Sequence, residues 1–559
     1  PRYRTLQQAL REQGYQGGGL KHKLMKKKFY LLFLLLGICA TSFAYDFEKD
    51  GIYYSFKTTV GSTEISVSVS KNEESGYSGD VSIPARVTYK GIDYNVIEIG
   101  DYAFKSSKLQ SISMPETIVS IGNYAFSGCS NLTSVLFSKS LTTIGENAFE
   151  KCTSLQQVNL PNTVSKVGDG TFQESGLLSF TAPKDLDYLS CYMFSNCKNL
   201  QEVNLHDNIK KIGNCNPNIS GSNWRTYGGS FASCKSLNNI KLPANLEVIG
   251  DDAFCSTSLE NVEIPAGVRN IGLGAFRWNT KLKSINFPAN IEYIGGGALN
   301  ECKGLESVDL SHSTKLKFLY VGTFEDCTGL KQVKLPNSLL EISKDVVSYW
   351  GTFSGCISLE DIELPASLEV IGRDSFRDCN KIKRIVIPDN VRELDFSLFQ
   401  GCSSLKSVVL GKGLTKVWTP FSDCPVLDEI YSLSETPVTD ITFPEELYQN
   451  TKLYIPKGSA SAYGVTLTGN VSAQAVTTGW TPFAHVYEIG TTGISSISTT
   501  SEKGWRIEDG QIIFNKDAMA TVLDASGRQI YKGKAGRFTA SQKGLYIIKI
   551  GNKASKVSL

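Results

Sequence analysis

Hydrophobic positions along this chain recur as a phrase of fixed length, which neither a helical nor a simple alternating period explains. Ile-Gly-x-x-x-Phe stands at Ile99-Gly100…Phe104, Ile121-Gly122…Phe126, Ile144-Gly145…Phe149 and, with valine, at Val167-Gly168…Phe172. It returns at Ile249-Gly250…Phe254, Ile271-Gly272…Phe276 and Ile371-Gly372…Phe376. With the phenylalanine as phase marker, the series runs Phe104, Phe126, Phe149, Phe172, Phe194, Phe231, Phe254, Phe276, Leu299, Phe324, Phe353, Phe376, Phe399 and Phe421. Most steps are 22 or 23 residues; those of 37, 25 and 29 read as insertions into a constant period.

A second phrase follows each marker, as in Leu155-x-x-Val158-x-Leu160-Pro161, Leu237-x-x-Ile240-x-Leu242-Pro243 and Leu359-x-x-Ile362-x-Leu364-Pro365. Apolar anchors with polar residues between them suit a short strand with one buried face. Proline closes the strand where its missing N–H costs least, and glycine is expected to relax a turn. One such unit cannot bury its apolar side alone, whereas stacked units can. The predicted fold is therefore a repeat solenoid, its short strands parallel and stacked along one face. Fourteen units at strand spacing make a stack of roughly 65 Å.

The 559 residues are 41% hydrophobic and 20% charged, which excludes wholesale disorder. The formal charge of +2 is unevenly spread. Residues 45–500 carry 38 basic against 49 acidic side chains, too acidic a body for nucleic acid to be its partner. Met25-Lys26-Lys27-Lys28, the uncharged run Phe29–Cys39 and the small residues before Ala44 form the three parts of an export signal, with cleavage expected between Ala44 and Tyr45. Residues 1–24 read as upstream sequence and 25–44 as the signal. Ile38 stands where a lipoprotein signal needs a small residue before Cys39. No later run is long enough to span a bilayer, so no transmembrane span is expected in the mature chain.

The combined phrase L-x-x-I-x-L-P…I-x-x-I-G-x-x-A-F-x-x-C resembles the bacterial leucine-rich repeats of BspA-like surface proteins, over about residues 97–456. Residues 45–96, with Gly51-Ile52-Tyr53-Tyr54 and Gly79-Asp80-Val81-Ser82-Ile83-Pro84, resemble that family's N-terminal β cap. Residues 457–494, with Gly479-Trp480-x-x-Phe483, resemble its closing cap and linker. Caps are needed because an open end exposes core and unpaired strand edge. The resemblance implies a cell-surface or extracellular, adhesin-like scaffold that recognises a host or bacterial surface macromolecule, protein or glycan. The alternative is a structural spacer or self-associating coat component without a specific ligand.

Residues 495–559 break the period into short alternating segments, such as Gln511-Ile512-Ile513-Phe514 and Leu545-Tyr546-Ile547-Ile548. They predict a small antiparallel β-sandwich. Val522-Leu523-Asp524-Ala525-Ser526-Gly527-Arg528, Lys543-Gly544-Leu545-Tyr546-Ile547-Ile548-Lys549 and the terminal Lys556-Val557 resemble the type A C-terminal sorting domain of the type IX secretion system of Bacteroidetes. That resemblance implies recognition of 495–559 by the secretion machinery and association with the outer membrane.

Ten cysteines lie three residues after a marker: Cys129, Cys152, Cys197, Cys234, Cys302, Cys327, Cys356, Cys379, Cys402 and Cys424. Without Cys39 the count is odd, and equivalent positions on stacked coils point the same way, which suits packing and not a bridge. They are expected to be buried small hydrophobes, with no metal site. Cys191, Cys215 and Cys255 are off phase, and Cys215 is singled out as the thiol free to react or pair. No catalytic or cofactor motif is present. Gly351-Thr352-Phe353-Ser354-Gly355 carries its serine one place too late for a nucleophile elbow. Glu260/Glu263 and Asp361/Glu363 are read as a solvated strand face rather than acid/base pairs.

Two surfaces are candidates for a partner. The polar strand positions form one; they lack exposed aromatics and equally suit a solubilising face. The two aromatic insertions form the other. One lies between Gly213 and Ser230 and carries Trp224, Arg225 and Tyr227; the second lies between Ser343 and Thr352 and carries Tyr349 and Trp350. Both interrupt the same segment of the repeat and should project from one edge, about 25 Å apart. The alternative is that these aromatics fold back and seal their own loops.

Overall fold

The structure, a computed structural model, describes residues 45–57, 65–72, 76–214, 228–344, 351–468, 479–480, 482–489, 505–508, 511–523, 529–539, 545–550 and 553–558. The repeat phrases fold into stacked coils that share one continuous apolar core. Every marker side chain is fully buried. The rings stack coil on coil with near-parallel planes, 5.0 Å apart for Phe104 and Phe126 and 5.4 Å for Phe254 and Phe276, Phe353 and Phe376, and Phe376 and Phe399. Offset stacking adds to the area each ring buries. A fifteenth marker, beyond the fourteen predicted, extends the column: Phe443 stacks on Phe421 at 6.3 Å.

Most coils bear two strands where the sequence predicted one, although the phrases at Leu155–Leu160 and Leu237–Leu242 form none. The predicted strand phrase forms a first parallel ladder, including Asn261–Glu263 beside Ser284–Asn286 and Ser407–Leu410 beside Glu429–Ser432. The Ile-Gly phrase forms a second ladder of two-residue strands, such as Ser120–Ile121, Thr143–Ile144 and Lys166–Val167. The glycine of that phrase closes the second ladder. Its N–H bonds the preceding coil, as from Gly122 to Ile99 O at 2.8 Å and from Gly272 to Ile249 O at 2.8 Å. A Cβ on Gly122 would stand 2.6 Å from Asp101 N, and one on Gly272 2.5 Å from Asp251 N. Close approach, and not the turn freedom expected of it, is what demands glycine here.

The second ladder has three breaks, after Lys166–Val167, after Tyr293–Ile294 and after Val370–Ile371. In each case the next coil carries the same phrase with the glycine replaced: Leu189-Ser190, Leu319-Tyr320 and Leu394-Asp395. Loss of the glycine accompanies every break but does not suffice for one, since Ile342-Ser343 and Val417-Trp418 also lack it and their strands still pair with the coil before.

The ends are covered. Phe47–Lys49, Ile52–Lys57 and Ser66–Ser70 pair antiparallel, and the last of these runs parallel to Ile92–Ile99, which leads into the second ladder. At the other end the indole of Trp480 and the ring of Phe483 pack edge-on against Phe443, at 5.5 and 5.3 Å. Trp480 Nε1 donates to Val438 O at 2.8 Å. Beyond residue 504, five antiparallel strands form a sheet with its own core of Ile512, Phe514, Ala520, Val522 and Ile548. Pairing makes it one hydrogen-bonded antiparallel sheet, with Gln511–Leu523 as its longest strand.

Candidate binding surfaces

Outward residues of the first ladder pair sideways between coils. Lys283 reaches Glu260 at 2.8 Å, Lys331 reaches Glu306 at 3.1 Å, Lys334 reaches Asp309 at 2.8 Å and Lys381 reaches Glu360 at 3.3 Å. Asn286 Nδ2 donates to both oxygens of Glu263 at 2.9 Å. The lysine partner holds the Glu260 carboxyl below its ordinary range. A carboxylate so paired and exposed is ionised at neutral pH, the opposite of a general acid. Pairs of this kind fix side-chain positions more than they stabilise the fold.

The outward position changes character along the ladder. Asn286, Asp309 and Lys334 are followed in the C-terminal coils by Val386, Val409, Tyr431, Tyr454 and Tyr487, which register with one another. Tyr431 and Tyr454 stack at 4.5 Å, and Tyr431 donates its hydroxyl to Glu429 Oε2 at 2.9 Å. Val409, Tyr431 and Tyr454 are buried and form a second small core on this face. The sequence pattern holds a signal for these residues, since Val386, Val409, Tyr431 and Tyr454 keep the marker spacing of 22 or 23.

Trp224, Arg225, Tyr227, Tyr349 and Trp350 lie outside the described residues, as do Cys215 and Ala44. Tyr45 opens the described chain, its ring edge-on to Tyr53 at 4.4 Å. The stems of both insertions are described. Each leaves a second-ladder strand, Lys211–Ile212 or Glu341–Lys344, and returns through a glycine two residues before the marker. A Cβ on Gly229 would stand 1.7 Å from Asp252 O, and one on Gly351 1.8 Å from Asp374 O. The second stem is also clamped by reciprocal bonds, Ser343 N to Thr352 Oγ1 at 3.0 Å and Thr352 N to Ser343 Oγ at 2.9 Å. Under each re-entry lies a buried carboxylate with an arginine, Asp252 with Arg277 at 2.8 Å and Asp374 with Arg377 at 3.6 Å. Burial raises both carboxyls, Asp252 to about 6.

The ten in-phase cysteines are free and buried, and they are more than small hydrophobes. Each donates its thiol to the marker carbonyl of the preceding coil, from Cys129 to Phe104 O at 2.9 Å through Cys327 to Leu299 O at 3.1 Å to Cys424 to Phe399 O at 3.2 Å. Asn279 takes the same place in its coil, with Nδ2 donating to Phe254 O at 2.7 Å. Burial pushes the Cys129 and Cys327 thiols up to about 12, so they stay protonated and unreactive. Cys255 is buried and Cys191 half-buried, both free. Among the described residues no group of three His, Cys, Asp or Glu side chains could hold a metal ion. No helix there is long and apolar enough to cross a membrane.

The description "BspA type Leucine rich repeat region" matches residues 97–216, 225–318 and 322–453, in six copies and over more than half of the chain. No curated protein matches. A crystal structure of a leucine-rich repeat protein from Bacteroides ovatus is similar at 25% identity and a TM-score of 0.52, over 74% of this chain and 100% of that one. A leucine rich cell surface protein from Faecalibacterium prausnitzii is similar at 21% identity and 0.39, over 81% and 99%. The pneumococcal vaccine antigen PcpA is similar at 20% identity and 0.37, over 75% and 96%.

Proposed function

This chain belongs to the BspA type leucine-rich repeat family, and from that premise we propose that it is an exported, non-catalytic binding protein of the cell surface or extracellular space. In this reading the export signal ends at Ala44, and the strands of 495–559 address the secretion machinery and the outer membrane. The solenoid presents an adhesin-like surface to a protein or glycan on a host or bacterial cell.

The observation that supports this most is the shared architecture of the two insertion stems. Both leave the same edge, and both return through a glycine jammed against the next coil. A fold that holds both insertion stems on one edge, five coils apart, fixes the spacing of the points from which the two loops leave. Two rigid anchor points let a modest contact at each act together.

The test is saturable binding of the full chain to immobilised mucin and to extracellular-matrix protein, compared with the Trp224→Ala/Trp350→Ala double variant. The expected result is capture weakened about tenfold or more with helix and strand signals unchanged, the size usual for aromatic anchors. Undiminished capture by the folded double variant contradicts the loop-edge surface. Self-association without capture supports the coat reading instead.

A further inference from the structure

Both ladders lose their pairing between the coil of Phe376 and the coil of Phe399, as they also do between the coils of Leu299 and Phe324. The first ladder stops at Asp361–Ile362 and resumes at Arg384–Val386; the second stops at Val370–Ile371 and resumes at Glu393–Leu394. The marker edge stays closed there, with Phe376 and Phe399 stacked at 5.4 Å and Asp378 N bonded to Gln400 O at 2.7 Å. The departure from the repeat phrase there is Asp395. It occupies the position where glycine lets neighbouring coils touch, and among the described residues no bond runs from its N–H to Ile371 O. Its carboxylate instead accepts from Phe396 N at 2.7 Å.

The opening is a cleft of about 610 Å³ bordered by Glu369, Gly372, Asn390, Arg392, Glu393 and Asp395. That size is in the range of small-ligand sites. Its polar groups are held from behind: Asn390 Nδ2 donates to Ala366 O at 2.9 Å, Arg392 Nη1 donates to Gly413 O at 3.1 Å, and Lys416 lies 3.6 Å from Glu393. Beside Asp395, the ring of Phe396 is 46% exposed and stacks at 5.6 Å on Trp418, whose ring in turn carries Lys416 Nζ at 5.1 Å.

We propose that this cleft is a subsite for a neutral carbohydrate, opened by Asp395 in the glycine position. Carboxylates only accept and guanidinium only donates, so a wall that alternates them matches hydroxyls, which do both. The cleft and its rim carry three carboxylates, Glu369, Glu393 and Asp395, against Arg392 and Lys416, an acidic excess that disfavours an anionic ligand. The exposed Phe396–Trp418 stack offers a flat apolar platform for the C–H face of a sugar ring. The proposal rests on the binding-scaffold reading and gives it a ligand class.

The test is titration calorimetry of the full chain with cellohexaose, maltohexaose and mannohexaose, repeated with Asp395→Gly, Phe396→Ala and Glu393→Gln. Saturable binding of at least one hexasaccharide is expected, weakened about tenfold or more in Asp395→Gly, which closes the cleft, and in Phe396→Ala, which removes the platform. Glu393→Gln keeps the shape and should lose less. No binding in the panel, or binding that Asp395→Gly and Phe396→Ala leave intact, overturns the proposal; so does a cleft that takes only charged glycans or peptides. Loop-dependent capture that persists while the hexasaccharides fail to bind removes the cleft and leaves the scaffold standing. Loss of both removes the scaffold as well.

Discussion

Cys356 donates to Phe324 O at 3.1 Å from a position with no solvent access. Replacing it with alanine removes that donor and leaves Phe324 O with the Cys327 N–H alone, at a cost of about 0.5–1.5 kcal/mol. Cys356→Ser keeps a donor and should cost less; equal losses in denaturant midpoints would show that the thiol is only filler. In the native chain the ten in-phase thiols should resist an aromatic disulfide reagent and all react once denaturant is added. Glu325 carries a different signature. Burial, and then Asp326 and Glu301, push its carboxyl up to about 8, while Asn300 Nδ2 donates to it at 3.2 Å. A raised acid is a stability contribution present at low pH and lost as pH rises through the folded value. Glu325→Gln should therefore stabilise the protein at pH 8 and above, on the order of 1–2 kcal/mol after solvent screening. The gain should shrink toward zero near pH 4, where the wild-type carboxyl is protonated in both states. A pH-independent difference between the two thermal melts would contradict this assignment.

The two phrases of the repeat behave differently as elements. The Leu-x-x-Ile-x-Leu phrase was legible as a strand because its alternation is visible without neighbours. The Ile-Gly strands were missed because two residues carry no period, and their partners lie a whole coil away. The glycine was misread as a turn residue for the same reason: its constraint is the backbone of the preceding coil. Gly272→Ala should cost about 2–4 kcal/mol, since its Cβ meets main chain that cannot step aside. Asp395→Gly makes the converse change and should raise the thermal midpoint by a few degrees as a rung is regained. A lower midpoint for Asp395→Gly would mean that the ladder is broken by something other than that side chain.

Across the whole molecule, the markers and cysteines declared the stack because each is buried in every coil, so the same residue is required every 22 or 23 positions. Phe443 escaped that reading because neither an Ile-Gly phrase nor a cysteine accompanies it, yet its ring continues the column. Candidate surfaces were only half legible. The insertions showed as breaks in the period, and the lateral pairs of the polar face could be placed once register was known. The cleft could not be seen until the role of the glycine was established, although its signal, the aspartate four residues before the marker in Leu394-Asp395-x-x-x-Phe399, is a glycine phrase without glycine. The stack thus supplies three things to a binding protein: fixed spacing, fixed side chains between coils, and an opening where one rung is missing.

Residue-resolved hydrogen exchange of the full chain tests that picture most directly. The N–H groups of Gly122, Gly145, Gly272 and Gly372, each bonded at 2.8 Å to the coil before it, should exchange only through large-scale opening. The N–H of Asp395 should exchange at least about a hundredfold faster while its neighbours in the Phe399 coil stay protected. Equal protection of Asp395 and the four glycines would contradict the account, because the rung would then be closed and the cleft would not exist.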